Sequence, residues 1–172
     1  MTLLKILTYP DPFLREPTKP VADIDDEIQT IIEDMAETMY EAPGVGLAAI
    51  QAGIDKSIIV YDPDADVEKK DFHVLINPEI VFSEGEMVSE NEGCLSVPDL
   101  RADVKRSEKV TVEALDRNGN PLKIEAVGLL SVILQHEIDH LKGILFIDRI
   151  SALKRQLYKK KRRKALKSEP TV

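Results

Sequence analysis

Cys94 is the only cysteine in 172 residues. One thiol excludes an intramolecular disulfide, so its sulfur has to serve as a ligand, a nucleophile or a small core atom. Tryptophan is absent, and aromatic residues make up 5% of the chain against 43% hydrophobic residues. The core must therefore be largely aliphatic. No stretch approaches the ~18 consecutive apolar residues of a membrane helix, and Met1-Thr2-Leu3-Leu4-Lys5 opens no apolar leader. A cytoplasmic protein without membrane contact is expected. Glycine is sparse too, and Gly44 and Gly46 make neither GxGxxG nor a P-loop, which weakens any nucleotide-binding reading.

Charge is plentiful but lopsided. The segment from Ser151 to Val172 holds Lys154, Arg155, Lys159, Lys160, Lys161, Arg162, Arg163, Lys164 and Lys167 against one acid, Glu169. The preceding residues must then carry twice the net −8 of the whole chain. An acidic body with a basic tail suggests a polyanionic partner docked by the tail, or else a solvated terminal helix. Sequence-specific contact with nucleic acid is not implied.

The length fits one domain. Its start, with Pro10, Pro12, Pro17 and Pro20, reads as loop. From about Asp25 to Glu41, Ile28, Ile31, Ile32, Met35 and Met39 recur at three- and four-residue steps, which predicts an amphipathic helix stopped by Pro43-Gly44. Short β-like pieces follow at 58–61, 74–76 and 80–82, and the acidic stretch 62–71 reads as a loop. A hairpin should pair 109–115 with 122–126 around Asn118-Gly119. A second helix, apolar nearly all round, should run from Leu129 to Leu141 with Gly143 as its stop, and a third should start near Ser151. The expected class is α+β.

Three segments carry chemistry. His136-Glu137-Ile138-Asp139-His140 places two imidazoles on one face of the second helix, with Glu137 beside them. They are either two core histidines satisfied by hydrogen bonds or ligands of one cation. Burying two imidazoles and a carboxylate is costly without a compensating partner. A catalytic ion usually takes three protein ligands and keeps one position open. Cys94, in Glu92-Gly93-Cys94-Leu95-Ser96, is a candidate third ligand or an inert small hydrophobe. The third segment, Gly44 to Gln51, has small residues that permit tight backbone packing and can set the Gln51 amide in a cleft. Taken alone, Gln51 reads as exposed or capped.

Gly44-Val45-Gly46-Leu47-Ala48-Ala49-Ile50-Gln51, Glu92 to Ser96 and Gln135 to Leu141 together match GxGLAAxQ, EGCLS and QHExDHL, complete and in order. The chain thereby resembles the peptide deformylases over essentially its whole length. The resemblance implies antiparallel strands packed around a central HExxH helix, with an N-terminal amphipathic helix and a basic C-terminal one. Residues 1–150 would form the catalytic domain and 151–172 a helical tail of the same domain. It implies one divalent metal held by Cys94, His136 and His140, usually Fe2+, with Ni2+, Co2+ or Zn2+ able to substitute.

The implied reaction removes the formyl group from N-formylmethionyl nascent peptides and releases formate. Glu137 takes the proton of the attacking water, while Gln51 and the Leu95 backbone N–H meet the charge on the formyl oxygen. Leu129, Val132 and Ile133 precede His136 on its helix face and line a slot for methionine. Val45 and Gly46 lie in the segment that supplies the opposite wall, and Arg101 contacts the substrate backbone. The tail would dock on the ribosome near the exit tunnel, and its deletion should leave hydrolysis of formyl-Met peptides nearly unchanged. Glu90 departs from the pattern, because some relatives carry an aliphatic pocket residue there. Two alternatives stand beside this reading: a zinc metallopeptidase of the HExxH type with another third ligand, and an inactive metal-binding module tethered to the ribosome.

Overall fold

The computed structural model describes residues 1–169. Helix α1 (Asp26–Glu41) starts where the Asp25 side chain accepts from Ile28 N at 3.0 Å, with Asp26 and Glu27 in the first turn. Its stripe of Ile28, Ile32, Met35 and Met39 is buried, each such side chain contributing roughly 1.5–3 kcal/mol. Five strands follow in one antiparallel sheet of order β1-β2-β3-β6-β7: β1 (Gly46–Ala48), β2 (Ile58–Tyr61), β3 (His73–Glu84), β6 (Lys109–Leu115) and β7 (Pro121–Val127). Strands β4 (Met87–Cys94) and β5 (Val97–Arg106) form a separate two-stranded sheet.

Side-chain alternation divides the core. Ile58, Val60, Val74 and Ile76 face α1 and join Ile32, Met35 and Met39. Ile59, Tyr61 and Leu75 point the other way and join Ile133, Leu134, Ile138 and Leu141 of α2 (Gly128–Leu141). A helix thus covers each face of the sheet, and the fold is mixed α and β with antiparallel sheets, as read from the sequence. The α2 helix ends before Gly143, whose φ is 74°. A Cβ built at Gly143 would lie 2.3 Å from the Arg15 carbonyl oxygen, so the turn admits no side chain there.

Two parts differ from the sequence expectation. The pieces at 74–76 and 80–82 belong to one long strand, β3, interrupted by a register shift between Ile76 and Glu79. Pro78 has no N–H for the ladder. Asn77, at φ 52°, turns aside to bond the backbone of Val21 at 2.8 and 2.9 Å. The β4–β5 hairpin has no counterpart among the expected strands. Its Glu, Ser, Asn and Gly residues have low strand propensity, and two register shifts break its alternation.

The third helix, α3 (Ala152–Ser168), is capped by Ser151 and buries only Tyr158. The Tyr158 hydroxyl donates to Pro98 O at 3.0 Å, and Arg162 Nε donates to Tyr9 O at 2.9 Å. Tyr158 also joins Val97, Phe146 and Ile150 in a third core cluster beside the small sheet. No helix among the described residues is long and apolar enough to cross a membrane.

Candidate metal centre

The last two turns of α2 present His136, Glu137 and His140, all buried. The end of β4 brings Cys94 against them. His140 Nε2 lies 3.2 Å from His136 Nε2 and 3.3 Å from Cys94 Sγ, and the three donor atoms lie within 4.8 Å of one another. Nitrogen ligands 2.0–2.1 Å from a tetrahedral ion sit roughly 3.3 Å apart, so the spacing fits a shared cation.

The hydrogen bonds around these atoms support the fit. His136 Nδ1 is 2.7 Å from Glu92 Oε1, so its proton goes to that carboxylate and the Nε2 lone pair faces Cys94 and His140. Burial pushes His136 toward the neutral form, but Cys94 and Glu92 outweigh it and raise its pKa well above the ordinary value. Burial and the neighbouring His136 push His140 the other way. Burial alone would raise Glu92, yet hydrogen bonds from His136 and Arg106 hold it down at about 2.

Glu137 stands beside the donor set without joining it. Its Oε2 is buried with no hydrogen-bond partner among the described residues, and burial pushes the carboxyl up to about 7. A Cβ built on Gly46 would lie 2.6 Å from Glu137 Oε1, so glycine is required for the carboxylate to sit where it does. Gln51, 2% exposed rather than solvated, follows β1 in a short 3-10 helix. Its Oε1 accepts from Ala48 N at 2.9 Å and its Nε2 donates to Ser96 Oγ at 3.0 Å. The amide nitrogen is thereby turned toward Cys94 Sγ, 3.7 Å away.

These groups floor a cleft of about 560 Å³, a usual size for a ligand site. Val45, Gly46, Gln51, Cys94, Leu95, Arg101, Leu129, Val132, Ile133, His136 and Glu137 all line it, and Glu90 stands at the rim. His140 lies beneath, fully buried.

Sequence reasoning missed the frame behind the floor. Arg106 is 4% exposed; its Nε donates to Glu92 at 3.2 Å, its Nη2 forms a second, shorter bond to the same carboxylate, and its Nη1 donates to Asp139 at 2.8 Å. Arg149 grips Asp139 from the other side at 2.5 and 2.7 Å. Gln135 accepts from Ser107 N and donates to Ser107 O, both at 2.9 Å, and so clamps the β5–β6 turn to α2. Glu92, Ser96, Gln135 and Asp139 lie within the quoted motifs, which was the one signal the sequence held for them. Arg106 had none.

A cleft floored by a Cys/His/His donor set, with a buried carboxyl beside it, defines a hydrolase of the metal-dependent class. Comparison with known proteins narrows this. The family model described as polypeptide deformylase matches residues 3–156. A peptide deformylase of Desulfosudis oleivorans is 54% identical over 167 residues, covering 97% of this chain and 96% of the relative. A solved peptide deformylase from Legionella pneumophila superposes with a TM-score of 0.89 at 49% identity, covering 98% of this chain and all of that one. Another from Synechococcus elongatus, solved with actinonin, gives 0.87 at 43% identity over 92% of this chain and 87% of its own. The chain belongs to the polypeptide deformylase family. It is a hydrolase acting on the N-formyl amide of nascent proteins, which sets aside the generic metallopeptidase alternative.

Proposed function

We propose that Cys94, His136 and His140 hold one divalent ion, ferrous iron, replaceable by nickel, cobalt or zinc. Two imidazoles and a thiolate suit any of these; iron follows from the family resemblance, not the geometry. When bound, the ion supplies Lewis acidity toward the reacting water and the formyl oxygen. The thiolate lowers its residual charge and makes the reaction depend more on the protein's own base.

Glu137 is that base. It accepts a proton from the attacking water and returns it to the nitrogen that leaves when the C–N bond breaks, giving formate and a free N-terminus. Glu137 lines the cleft with its Oε2 buried and unpartnered among the described residues, and a carboxyl near 7 can take and give a proton at neutral pH. Gln51 Nε2, held by Ser96, and the Leu95 backbone N–H donate to the formyl oxygen as it gains negative charge. Val45, Leu129, Val132 and Ile133 hold the methionine side chain, Gly46 leaves room for Glu137, and Arg101 contacts the substrate backbone.

The α2 helix is the central element of this reading, since it carries two ligands, the base and one wall of the slot. Residues 1–150 act as the catalytic domain in the cytoplasm, with 151–172 as a basic tail of the same domain that docks on the polyanionic ribosome surface. An inactive tethered module would need neither the buried carboxyl nor the oriented amide. The observation that carries the reading is the convergence of Cys94 Sγ and both Nε2 atoms beside Glu137. Formate release and metal content, measured on two variants, test it. Glu137→Gln should keep the metal and lose roughly 10²–10⁴ in turnover, and Cys94→Ala should lose the metal. Full occupancy in the cysteine variant removes that ligand, and near-normal turnover in the glutamate variant removes the base.

A further inference from the structure

A cavity of about 510 Å³ shares no lining residue with the catalytic cleft, and the reaction makes no use of it. Its size is that of a small-molecule site. Strand register builds its walls. Tyr61 of β2 pairs with His73 of β3, so both rings fall on one face of the sheet, with centroids 5.2 Å apart and a tilt of 34°. Phe72 adds a third ring beside them. The chain has only four phenylalanines, four tyrosines and no tryptophan, which makes this an unusual concentration of aromatic surface. The rest of the wall is aliphatic: Leu122 and Ile124 of β7 and Leu130 of α2 are each only partly buried.

One polar group in this wall has nothing to bond. A buried tyrosine ordinarily finds a partner for its hydroxyl. Tyr40 has Asp62 at 2.7 Å, and Tyr158 has Pro98 O at 3.0 Å. Tyr61 is just as buried, at 4% exposure, yet its hydroxyl bonds no group among the described residues. The side-chain atoms sealed away without a partner there are Glu137 Oε2 and His140 Nδ1, so the Tyr61 hydroxyl is reachable, and the cavity is the space its ring lines. Burial raises its pKa above the ordinary value, so it stays protonated and able to donate.

The charges at the cavity's edge are already matched. Arg117 Nε donates to Gln29 Oε1 at 3.0 Å, and its Nη2 pairs with Glu33 at 2.6 Å. The Asp116 carboxylate accepts from Asn118 N and Asn120 N, both at 2.8 Å, and from Asn120 Nδ2 at 3.0 Å. Neither group requires an opposite charge from an occupant, and a charged occupant would lose water without gaining a partner. We propose that this cavity is a second ligand site, taking an uncharged aromatic molecule whose single hydroxyl group hydrogen-bonds to Tyr61.

The test titrates the full chain, loaded with zinc and methyl-labelled for NMR, with three probes of one bicyclic size. These are 2-naphthol, its carboxylate counterpart 2-naphthoate, and the saturated alcohol 2-decalol. Naphthol should shift the methyl signals of Leu122, Ile124 and Leu130 saturably, with a Kd on the order of 0.1–1 mM. Naphthoate should bind about tenfold more weakly, and decalol roughly threefold more weakly for want of a π face. Tyr61→Phe keeps the ring and should weaken naphthol by roughly fivefold, with formate release as in wild type because Tyr61 does not line the catalytic cleft. Leu122→Trp fills the cavity and should abolish the shifts at Ile124 and Leu130. The absence of saturable shifts at these methyls in the wild type overturns the proposal, as does equal affinity for naphthoate or decalol. Shifts confined to Val45, Val132 and Ile133 place the probe in the catalytic cleft and overturn it as well. An unchanged Kd in Tyr61→Phe overturns the recognition assigned to the hydroxyl.

Discussion

Helices α2 and α3 have similar lengths, 14 and 17 residues, yet α2 buries ten side chains and α3 buries one. The α2 helix lacks a capping side chain at its start, while α3 is capped by Ser151. An isolated helix of this length is marginal in water, so α2 exists because the sheet covers it. Its side chains consequently have no freedom to leave the positions in which the donor atoms converge. In α3, Tyr158 and Arg162 anchor one face, and the bases Lys160, Lys161, Arg163 and Lys164 project into solvent. Rigidity suits a helix whose donor atoms lie within 4.8 Å of one another and of Cys94 Sγ. A charged surface for a large partner needs only an approximate position.

The comparison breaks most severely if the frame behind α2 is removed. Arg106→Met leaves Glu92 and Asp139 buried without their shared cation, which should cost about 3–5 kcal/mol. Urea unfolding of the metal-loaded protein measures it, and a loss well below that range would mean that Arg149 and the metal centre suffice to hold both acids.

A smaller effect is expected from crowding the carboxyl. Gly46→Ala places a methyl group 2.6 Å from the present position of Glu137 Oε1. The carboxylate must move, and a displacement near 1 Å can cost on the order of 10²-fold in rate. Metal content should stay at the wild-type level. Wild-type kcat with the alanine in place would show that Glu137 tolerates repositioning and that the rigidity assigned to α2 is unnecessary.

What was legible in the sequence follows the same division. The α2 helix was legible as an apolar segment carrying His136 and His140 four residues apart, but that pair alone left core histidines and ligands both open, and only the motif resemblance chose between them. The α1 stripe was legible through its three- and four-residue steps, and the β6–β7 hairpin through the Asn118-Gly119 turn between two β-like segments. The frame was not, since Arg106 sits on a strand whose alternation is broken and is joined to Glu92 and Asp139 only by the fold. Ser96 went unnoticed because its role depends on Gln51, 45 residues earlier. Burial of Gln51 was likewise invisible until the segment after β1 closed over the centre. The anchor of α3 is a fourth instance: the run of bases masked the tyrosine that ties the helix to the body.

That anchor supplies a more modest prediction. Tyr158→Phe keeps the ring beside Tyr9, with ring centroids now 5.9 Å apart, and loses the hydrogen bond to Pro98 O. The expected loss is about 1 kcal/mol, seen as a lower urea midpoint at unchanged slope. Turnover by the folded protein should hold. A marked fall in kcat instead would tie α3 to the positioning of Cys94 through the shared cluster of Val97 and Tyr158.

The smallest effect on stability, with the largest on association, is expected from the solvent face of α3. Deleting 151–172 is a poor test of the tether, because it also removes Tyr158 from the core and Arg162 from its bonds to Tyr9 and Thr8. Replacing Lys160, Lys161 and Lys164 with glutamine leaves both anchors in place, and all three lysines are exposed. Surface changes of this kind usually stay within about 0.5 kcal/mol each, and no residue lining the cleft is altered. Hydrolysis of a formyl-Met peptide should therefore match the wild type. Co-sedimentation with ribosomes at low salt should weaken strongly, and its log–log salt dependence should flatten by roughly one unit for each phosphate no longer neutralised. Ribosome binding that stays at wild-type strength would remove the tether and leave α3 as a clamp on the small sheet.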